Sequence, residues 1–484
     1  MRMPINDTIE TELRNIVGDK YVLSERVDLA VYECDGLTLD VASPDLVVLP
    51  KSTDEVAAVM ALAFANKIPV SPRGAGTGLS GGATTVMGGI SLVLTRMNRV
   101  LSVDPLDRVA VVQVGVTNVS VSEAAQQHSL YFAPDPSSQS ASTIGGNIAE
   151  NSGGPHTLKY GMTTNHVMGL KVVLANGEVI TLGGRSRTKE GLDLMGVFIG
   201  SEGTIGIATE ATLKLIPRAQ AVETMLAYFN TVEAAGQAVS DVVASGVVPA
   251  AMEMIDQLTI NAVEDAYHMG LDREAAALLI VELDGPRTGI TIQRRTVEAC
   301  IGTNQAISVQ WANDAYERAR IWKARKTAFG ALGRIAPHAY LLDGVIPRSK
   351  LASTISEIAK VAEHYNLTIA NIYHAGDGNL HPCILYHKDN ADEVKRVLHA
   401  GRDILELCVR IGGTLSGEHG IGIEKVSEMP NIFSEESLES MRWVKQSFDP
   451  ENICNPCKVI PMPKSCGESG ARPLLRHKLL TSGC

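Results

Sequence analysis

The sequence lacks several features that would assign it to a class at once. No run of about 18 apolar residues, the length that crosses a bilayer, occurs in its 484 residues, so we expect no membrane span. Its N-terminus has no apolar run of the signal-peptide kind. The eight cysteines are scattered and predict no disulfide framework, which favours a cytoplasmic location.

Positive charge and aromatic rings are also scarce. The 43 Lys and Arg residues are outnumbered by 54 Asp and Glu residues, and aromatic residues make up only 4% of the chain. Without a basic surplus to release counterions, a nucleic-acid partner is not expected. A local cationic pocket for a small anionic substrate is still compatible with this charge. The length suggests two or three domains.

Glycine is abundant in the N-terminal half. Residues 72–83 follow a short predicted strand and contain Gly74, Gly76, Gly78, Gly81 and Gly82. Glycine permits positive φ and lets main-chain N–H groups approach a ligand, so such a run suits a pyrophosphate. The segment leads to another strand rather than a helix, unlike a Rossmann fingerprint, and no Gly-Lys-Ser/Thr follows it, unlike a P-loop.

Two further glycine-rich segments follow in the same half. One is Gly145-Gly146-Asn147, inside a turn-rich stretch predicted over residues 133–164, and the other covers residues 200–206. Three such segments in one domain predict a long dinucleotide lying against bare backbone. After Pro217 the pattern changes to amphipathic helices alternating with strands, which predicts an α+β domain with an antiparallel sheet.

Two short strings near the C-terminus carry histidines in glycine-rich turns. His374 ends a predicted strand and His381 begins the next, so a tight hairpin can bring them side by side. With Glu418 they form a ligand set typical of a catalytic divalent metal with open positions. His419 is then left to move protons, since imidazole titrates near neutral pH. Taken alone, such a site fits hydrolysis equally well.

Residues 314–332 are predicted to be a helix that carries Trp322, Arg325 and Phe329 on one face. An arginine fork can bond both oxygens of a carboxylate, which makes Arg325 a candidate clamp for an acid substrate. A solvated helix charge is the alternative. Asn379 is either a turn residue or a group that bonds the substrate.

These strings, in this order, resemble a known family. Residues 72–83, 144–154 with 160–161, and 200–207 resemble the FAD-binding domain of the vanillyl-alcohol oxidase/p-cresol methylhydroxylase superfamily. Residues 374–381 and 417–420 resemble its branch of D-2-hydroxyacid dehydrogenases. Within that branch, residues 32–37, 325–326, 333–335 and 343–347 are most similar to the FAD-linked catalytic subunits of bacterial glycolate-oxidising complexes. The resemblance runs roughly from Tyr32 to Lys458.

The resemblance implies an α+β protein with a two-part FAD-binding domain and an α+β cap that holds the substrate on an antiparallel sheet. The implied domains are residues 1–218 (core about 42–218), 219–425 and a helical segment, 426–461, that returns to the flavin; residues 462–484 are expected to be a loose tail. FAD is expected to be held noncovalently. The implied cofactor-binding residues are Pro72, Arg73, Gly74, Ala75, Gly76, Thr77, Gly78, Gly81, Pro134, Ser138, Gly145, Gly146, Asn151, Gly153, Gly154, Tyr160, Gly161, Glu202, Gly203 and Ile207.

The same resemblance implies the chemistry. His374, His381 and Glu418 become ligands of zinc, with manganese as the alternative, His419 the base, and Arg325 the clamp on the substrate carboxylate, with Asn379 beside it. The expected reaction is hydride transfer from a small 2-hydroxy acid to FAD, which converts glycolate to glyoxylate or D-lactate to pyruvate.

Three positions depart from the family pattern. Leu341 stands where the hydroxyglutarate-specific members carry a lysine, and Phe329 stands where they have a threonine. Both departures favour a small acid with one carboxylate. Cys457 stands where the family usually has glycine, which puts the local backbone geometry in question.

Partners and alternatives follow from the same comparison. The chain lacks the cysteine clusters that hold an iron–sulfur centre, so an iron–sulfur subunit and a related FAD-binding subunit are the implied partners. Contact with the inner face of a membrane would be made only through them. Three alternatives are a D-lactate dehydrogenase acting alone with a quinone or cytochrome, a noncatalytic FAD-binding subunit, and a carbohydrate or alcohol oxidase that needs no metal.

Overall fold

The computed structural model describes residues 5–186 and 191–462. The chain forms two compact units. The glycine-rich unit comprises Met1–Gly153, Met162–Arg218 and Glu418–Cys484, and the sheet unit comprises Gly154–Gly161 and Ala219–Gly417. The division into a cofactor domain and a substrate domain stays a prediction. The sheet unit differs from the predicted substrate domain in its bounds, because it ends at Gly417 rather than at residue 425 and includes residues 154–161. The predicted loose tail, apart from residue 462, lies outside the described residues.

The glycine-rich unit contains two main sheets. The smaller has the strand order Val22–Leu23, Leu46–Val48, Ile90–Val93 and Val70–Arg73, and its last three strands run parallel. The larger is antiparallel, in the order Val100–Asp104, Val109–Gln113, Ile207–Lys214, Val167–Val173 and Val179–Gly183. Leu130–Tyr131 pairs separately with Ile216–Pro217. The last two strands of the larger sheet form a hairpin about Asn176-Gly177, a dipeptide that predicts such a turn from the sequence.

Most helices of this unit begin at a residue whose side chain caps the first turn. Thr53–Ala65 starts after Ser52, whose side chain accepts the Glu55 N–H, while the Glu55 carboxylate accepts the Lys51 N–H; together they satisfy two otherwise unpaired donors. The helices are Asp7–Val17, Arg26–Leu29, Thr53–Ala65, Asn118–Ala125, Ile144–Glu150, Leu194–Phe198 and Glu435–Phe448. Short 3-10 turns cover Asp19–Tyr21, Ala30–Tyr32, Leu94–Arg96, Gln126–His128, Thr163–Asn165 and Val426–Asn431.

The sheet unit is built on one large antiparallel sheet. Its strand order is Ser308–Trp311, Ala221–Phe229, Ala277–Gly285, Ala251–Asp256, Thr368–His374, Asn379–Tyr386 and His338–Leu341, with Gly344–Val345 paired to Asn379–Tyr386. Its helices are Thr157–Tyr160, Val232–Ala244, Gln257–Tyr267, Arg287–Thr303, Ala315–Ala331, Leu351–Tyr365 and Ala391–Arg410, with 3-10 turns at Leu332–Arg334 and Arg348–Lys350. The predicted α+β class with an antiparallel sheet is confirmed.

Two features of the fold depart from the sequence-based expectation. Gly145–Asn147 was expected in a loop, but it lies in the helix Ile144–Glu150 because Thr143 caps its first turn by accepting the Gly146 N–H. The strand Ala251–Asp256 was not predicted at all. It lies inside the large sheet, between Ala277–Gly285 and Thr368–His374.

The C-terminal segment returns to the edge of the smaller sheet. Val70 donates its N–H to Ile453 and accepts from Asn455, both at 2.8 Å. Beyond this bridge Cys457 has φ +65°, in the left-handed region where glycine alone is free of strain. The glycine usual at this place in the resembled family is thereby explained. Across residues 5–186 and 191–462, no helix combines the length and apolarity needed to cross a membrane.

Candidate active site

Two histidines meet on one face of the large sheet. His381 lies opposite Ile372 in the antiparallel pair, and His374 is two residues further along the same strand. Because side chains alternate with period two, both rings project to the same side. Their centroids are 5.0 Å apart, with the planes nearly perpendicular at 86°. The predicted hairpin that brings the two histidines together is confirmed.

Each of these rings has an oxygen at Nδ1. His374 Nδ1 lies 2.7 Å from Glu253 Oε1, and His381 Nδ1 lies 3.1 Å from the Leu342 carbonyl oxygen. A carboxylate and a carbonyl can only accept, so the neutral rings carry their proton on Nδ1 and their lone pair on Nε2. This arrangement is usual for metal-ligating histidines. The two side chains therefore fit a divalent metal bound through Nε2.

Glu253 was missed from the sequence. It is fully buried in the strand Ala251–Asp256, and its second oxygen lies 2.6 Å from Arg325 Nη2. Burial alone would raise the pKa of Glu253. The charges of Arg325 and His374 together outweigh burial, so the pKa is below its usual value. Glu253 therefore stays ionised and holds both Arg325 and His374. The sequence signal was one carboxylate in an otherwise apolar stretch.

Arg325 lies on the helix Ala315–Ala331 and is 6% exposed. One end of its guanidinium pairs with Glu253, while Nε is buried and has no hydrogen-bond partner among the described residues. An unpaired buried donor is costly unless a ligand satisfies it. Phe329, predicted on the same face, is 43% exposed, and its effect on the choice of substrate stays a prediction.

Asn379 is also buried with an unpaired atom. It is 5% exposed, pairs with His374 across the hairpin, and its Oδ1 has no hydrogen-bond partner in the described residues. A Cβ added to Gly417 would come within 2.4 Å of Asn379 Nδ2, so only glycine fits there. The structure thus brings Asn379 together with the two histidines and with Gly417.

Asp343 anchors the chain where it leaves the sheet unit. It is fully buried and accepts hydrogen bonds from the Ser416 hydroxyl at 2.6 Å and the Gly417 N–H at 3.0 Å. Its other oxygen is 3.9 Å from His381 Nδ1. Glu418 follows Gly417 directly in the chain and belongs to the glycine-rich unit, as does His419. The side chains of Glu418 and His419 approach to 3.8 Å between Oε1 and Nε2.

The first glycine-rich segment surrounds a buried arginine. Arg73 ends the strand Val70–Arg73 and donates to the Cys34 carbonyl at 2.8 Å. A Cβ on Gly76 would meet the Arg73 guanidinium at 2.2 Å, and one on Gly74 would meet Thr143 Oγ1 at 2.3 Å. Bare backbone is therefore required around this cation. The segment fits an anionic cofactor group such as the FAD pyrophosphate.

The remaining predicted cofactor residues of this unit lie near this segment or in loops. Gly203 has φ +71°, and a Cβ there would come within 2.3 Å of Pro72 Cγ. Asn151 ends the helix Ile144–Glu150 in the left-handed conformation. The Pro134 carbonyl accepts from Asn118, and the Ser138 carbonyl accepts two N–H groups. Ala75 is exposed. Partial burial is shared by Thr77, Gly78, Gly145 and Gly146, and full burial by Gly81, Gly153 and Ile207.

Three predicted cofactor residues fall in the sheet unit. They are Gly154, Tyr160 and Gly161, and they lie in the short segment Gly154–Gly161 that belongs to this unit. The Tyr160 hydroxyl and the Lys159 ammonium both contact the Asp284 carboxylate, and His156 Nε2 lies 3.1 Å from Glu282. These bonds engage Tyr160 with the protein itself. A direct role for it toward the cofactor stays a prediction.

Asp35 supports the first glycine-rich segment and titrates in an unusual range. It accepts the Leu37 N–H at 2.9 Å, and burial raises its pKa from 3.8 to about 6. Because the folded state favours the protonated carboxyl, Asp35 contributes most to the free energy of unfolding below pH 3.8. This contribution is lost as the pH rises through about 6. We expect Asp35→Asn, which cannot ionise, to gain ~3 kcal/mol on the wild type across that window.

Urea unfolding of both proteins between pH 4 and pH 7 measures this difference. Asp392→Asn, at a side chain that is 80% exposed, is the control and should show no such trend. A difference between Asp35→Asn and wild type that is constant with pH would contradict the expectation.

Family models match most of the chain. One described as FAD linked oxidases, C-terminal domain, matches residues 218–459, and one described as FAD binding domain matches residues 44–183. The chain is 44% identical to glycolate oxidase subunit GlcD of Escherichia coli (strain K12), over 95% of this chain and 92% of that protein. It is 35% identical to D-lactate dehydrogenase of Archaeoglobus fulgidus, over 86% and 91% of the two chains.

A solved structure of p-cresol methylhydroxylase with substrate bound shares the fold. Its TM-score is 0.78 at 18% identity, covering 93% of this chain and 96% of that chain. At this identity the likeness concerns the fold alone. It confirms the two-part FAD-binding fold and the second domain that were predicted.

Proposed function

Because the chain belongs to the family of FAD-linked oxidases, we propose that it oxidises a small 2-hydroxy acid, glycolate to glyoxylate or D-lactate to pyruvate. It is an FAD-dependent oxidoreductase of the hydroxy-acid-oxidising type. When bound, FAD supplies the two-electron acceptor. The names of the two relatives, a glycolate oxidase subunit and a D-lactate dehydrogenase, support these two substrates.

The observation that carries the proposal is the pair His374 and His381, with an acceptor on each Nδ1. We propose that Glu418 joins them and that the three hold a divalent metal, zinc or else manganese. The buried Asp343 fixes the Gly417 N–H, and Glu418 is the next residue, which supports this third ligand. Such a metal supplies Lewis acidity that lowers the pKa of a hydroxyl.

The remaining groups have separate proposed roles. Arg325 binds the substrate carboxylate through the side of its guanidinium that Glu253 leaves open, and the unpaired Nε supports this role. Asn379 bonds the substrate through its unpaired Oδ1 or its amide. His419 accepts the hydroxyl proton, because a neutral imidazole is a competent base near pH 7.

Leu341 supports a small substrate. It packs against the hydrophobic cluster of the sheet unit that contains Ala324, Ala328 and Cys383, and it offers no charge to a second carboxylate. Phe329 is 43% exposed, and its part in this preference stays a prediction. We therefore propose that 2-hydroxyglutarate is a poor substrate.

Anaerobic titration of the purified protein tests the proposed function. Glycolate, D-lactate, L-lactate and D-2-hydroxyglutarate are added in turn, and bleaching is followed at about 450 nm, where oxidised flavin absorbs. We expect glycolate or D-lactate to bleach the flavin fastest. Bleaching by none of the four, or preference for D-2-hydroxyglutarate, would contradict the proposal.

Arg325→Lys is expected to lower kcat/KM about 100-fold, since a lysine cannot bond Glu253 and a carboxylate as a planar fork does. The change should fall mainly on KM, with the flavin spectrum intact. Lys326→Ala, at the exposed neighbouring cation, is the matched control. Equal kcat/KM values for the two variants would contradict the clamp.

We also propose an iron–sulfur subunit and a related FAD-binding subunit as partners, at a cytoplasmic location. The relative named as a glycolate oxidase subunit supports assembly with other chains. The second candidate is a D-lactate dehydrogenase acting alone, supported by the relative of that name. Reduction of a quinone by the isolated chain at the rate of flavin reduction would favour the second candidate.

A further inference from the structure

The loop that follows His419 is held by buried charges of the glycine-rich unit. Glu202 accepts the N–H groups of Ile421 and Gly422 through its two carboxylate oxygens, at 2.6 and 2.8 Å. Lys425 Nζ also donates a hydrogen bond to the Gly420 carbonyl at 2.9 Å. Two consecutive peptide groups, 420–421 and 421–422, are thus bonded to charged groups, and such bonds are stronger than neutral ones.

Glu202 is itself fixed by the returning C-terminal segment. Asn455 donates to the Glu202 carbonyl oxygen at 2.6 Å and to Gly82 at 2.9 Å. Lys458 donates to Asn455 Oδ1 at 2.7 Å. Glu202 is 3% exposed, Asn455 1% and Lys458 3%, so the whole chain of bonds is shielded from water. A rigid support of this kind defines the position of the loop.

A second carboxyl faces the same loop. Glu150 Oε2 is buried and has no hydrogen-bond partner among the described residues. A Cβ added to Gly420 would be 2.0 Å from Glu150 Oε2 and 2.7 Å from Glu202 Oε1. Both carboxyl groups therefore lie against Gly420, which has no room for a side chain and is next to His419.

We propose that Glu202 is a positioning residue, whose carboxylate holds residues 420–422 so that His419 is aimed at the substrate, while Glu150 only packs against the loop. This inference rests on the proposed function, in which His419 is the base. It changes the role expected for Glu202, from cofactor binding to orientation of a catalytic side chain.

The charges of the two acids agree with this division. Burial, and to a smaller extent the negative charge of Glu202, raises the pKa of Glu150 well above its usual value. Burial raises the pKa of Glu202 to about 7, although its two backbone bonds and Lys458 lower it. Burial also lowers the pKa of Lys458, to about 8, which leaves it a cation at neutral pH. Glu202 therefore ionises before Glu150 does.

Two isosteric variants separate the two acids. Glu202→Gln loses one acceptor and turns an NH₂ toward a backbone N–H, so we expect kcat to fall ~100-fold, as for a small misplacement of a catalytic group. KM and flavin content should stay within about threefold of wild type. Glu150→Gln reproduces a protonated carboxyl and should keep kcat within about threefold.

Hydrogen exchange of the Ile421 and Gly422 amides, read by fragmentation mass spectrometry, gives a readout independent of activity. Both should exchange about tenfold or more faster in Glu202→Gln, because a charge-assisted bond is lost. Wild-type kcat in Glu202→Gln, loss of its flavin, or an equal loss of kcat in Glu150→Gln would each overturn the proposal. If Glu202→Gln fails to fold, Gly420→Ala displaces the same carboxylates and should show the same kcat loss and faster exchange.

The two proposals fail differently. If no 2-hydroxy acid reduces the flavin of the wild type, the proposed function fails. Unchanged exchange of the two amides in Glu202→Gln would instead overturn the positioning role, whatever the substrate proves to be.

Discussion

His374→Ala is expected to remove the bound divalent metal and to lower kcat for the 2-hydroxy acid at least ~10³-fold. Loss of one ring leaves one imidazole and one carboxylate of the three proposed ligands, which is an incomplete set. Lewis-acid stabilisation by a metal is worth several kcal/mol, which corresponds to about this factor. The loss should appear in kcat, because the acidified hydroxyl matters most in the transition state.

Elemental analysis and flavin absorbance together check this prediction. FAD should stay bound, since the predicted cradle lies in the glycine-rich unit and His374 lies in the sheet unit. His399→Ala, at an exposed histidine on the helix Ala391–Arg410, is the matched control and should retain both metal and activity. A His374→Ala protein with a full complement of metal and more than about a tenth of wild-type kcat would contradict the ligand role.

His419→Ala is expected to slow flavin reduction ~10²- to 10⁴-fold, the usual contribution of a positioned general base. KM should change little, because Arg325 and the metal ligands remain to bind the acid. Metal content should also remain, which separates this variant from His374→Ala. The two replacements thus affect different steps: one removes a ligand and the other removes a proton acceptor.

Stopped-flow mixing of the oxidised variant with D-lactate or glycolate measures the rate of bleaching directly. His387→Ala, at a side chain that is 62% exposed, controls for loss of any histidine. Wild-type rates in His419→Ala would remove the base from the mechanism and would favour a noncatalytic FAD-binding subunit.

The part of the site that the sequence predicts is the part made locally. His374 and His381 sit on one hairpin, so a seven-residue separation and a glycine-rich turn are enough to place both rings on one face. The helix carrying Arg325 could be predicted because Asp314 caps it and because Ala, Arg, Lys and Glu, which favour helices, dominate the residues that follow. Local rules of this kind need no knowledge of distant neighbours.

What the sequence does not predict is the part made by distant contacts. Glu253 reaches His374 across 121 residues of sequence, and no spacing rule links the two. Glu202 bonds the loop after His419 across 219 residues, so its glycine-rich context suggested cofactor binding instead. Helical spacing places Phe329 on the same face as Arg325, but it does not predict that Phe329 is 43% exposed while Arg325 is buried.

Removal of the metal from wild-type protein tests the central claim most directly. Flavin reduction by the preferred acid is measured anaerobically before and after exhaustive chelation, with metal content verified by elemental analysis. We predict that the rate falls at least ~10³-fold, as in His374→Ala, and returns when zinc or manganese is restored, because the hydroxyl is no longer acidified. Full-rate reduction in protein shown to be free of metal would contradict the role assigned to His374, His381 and Glu418.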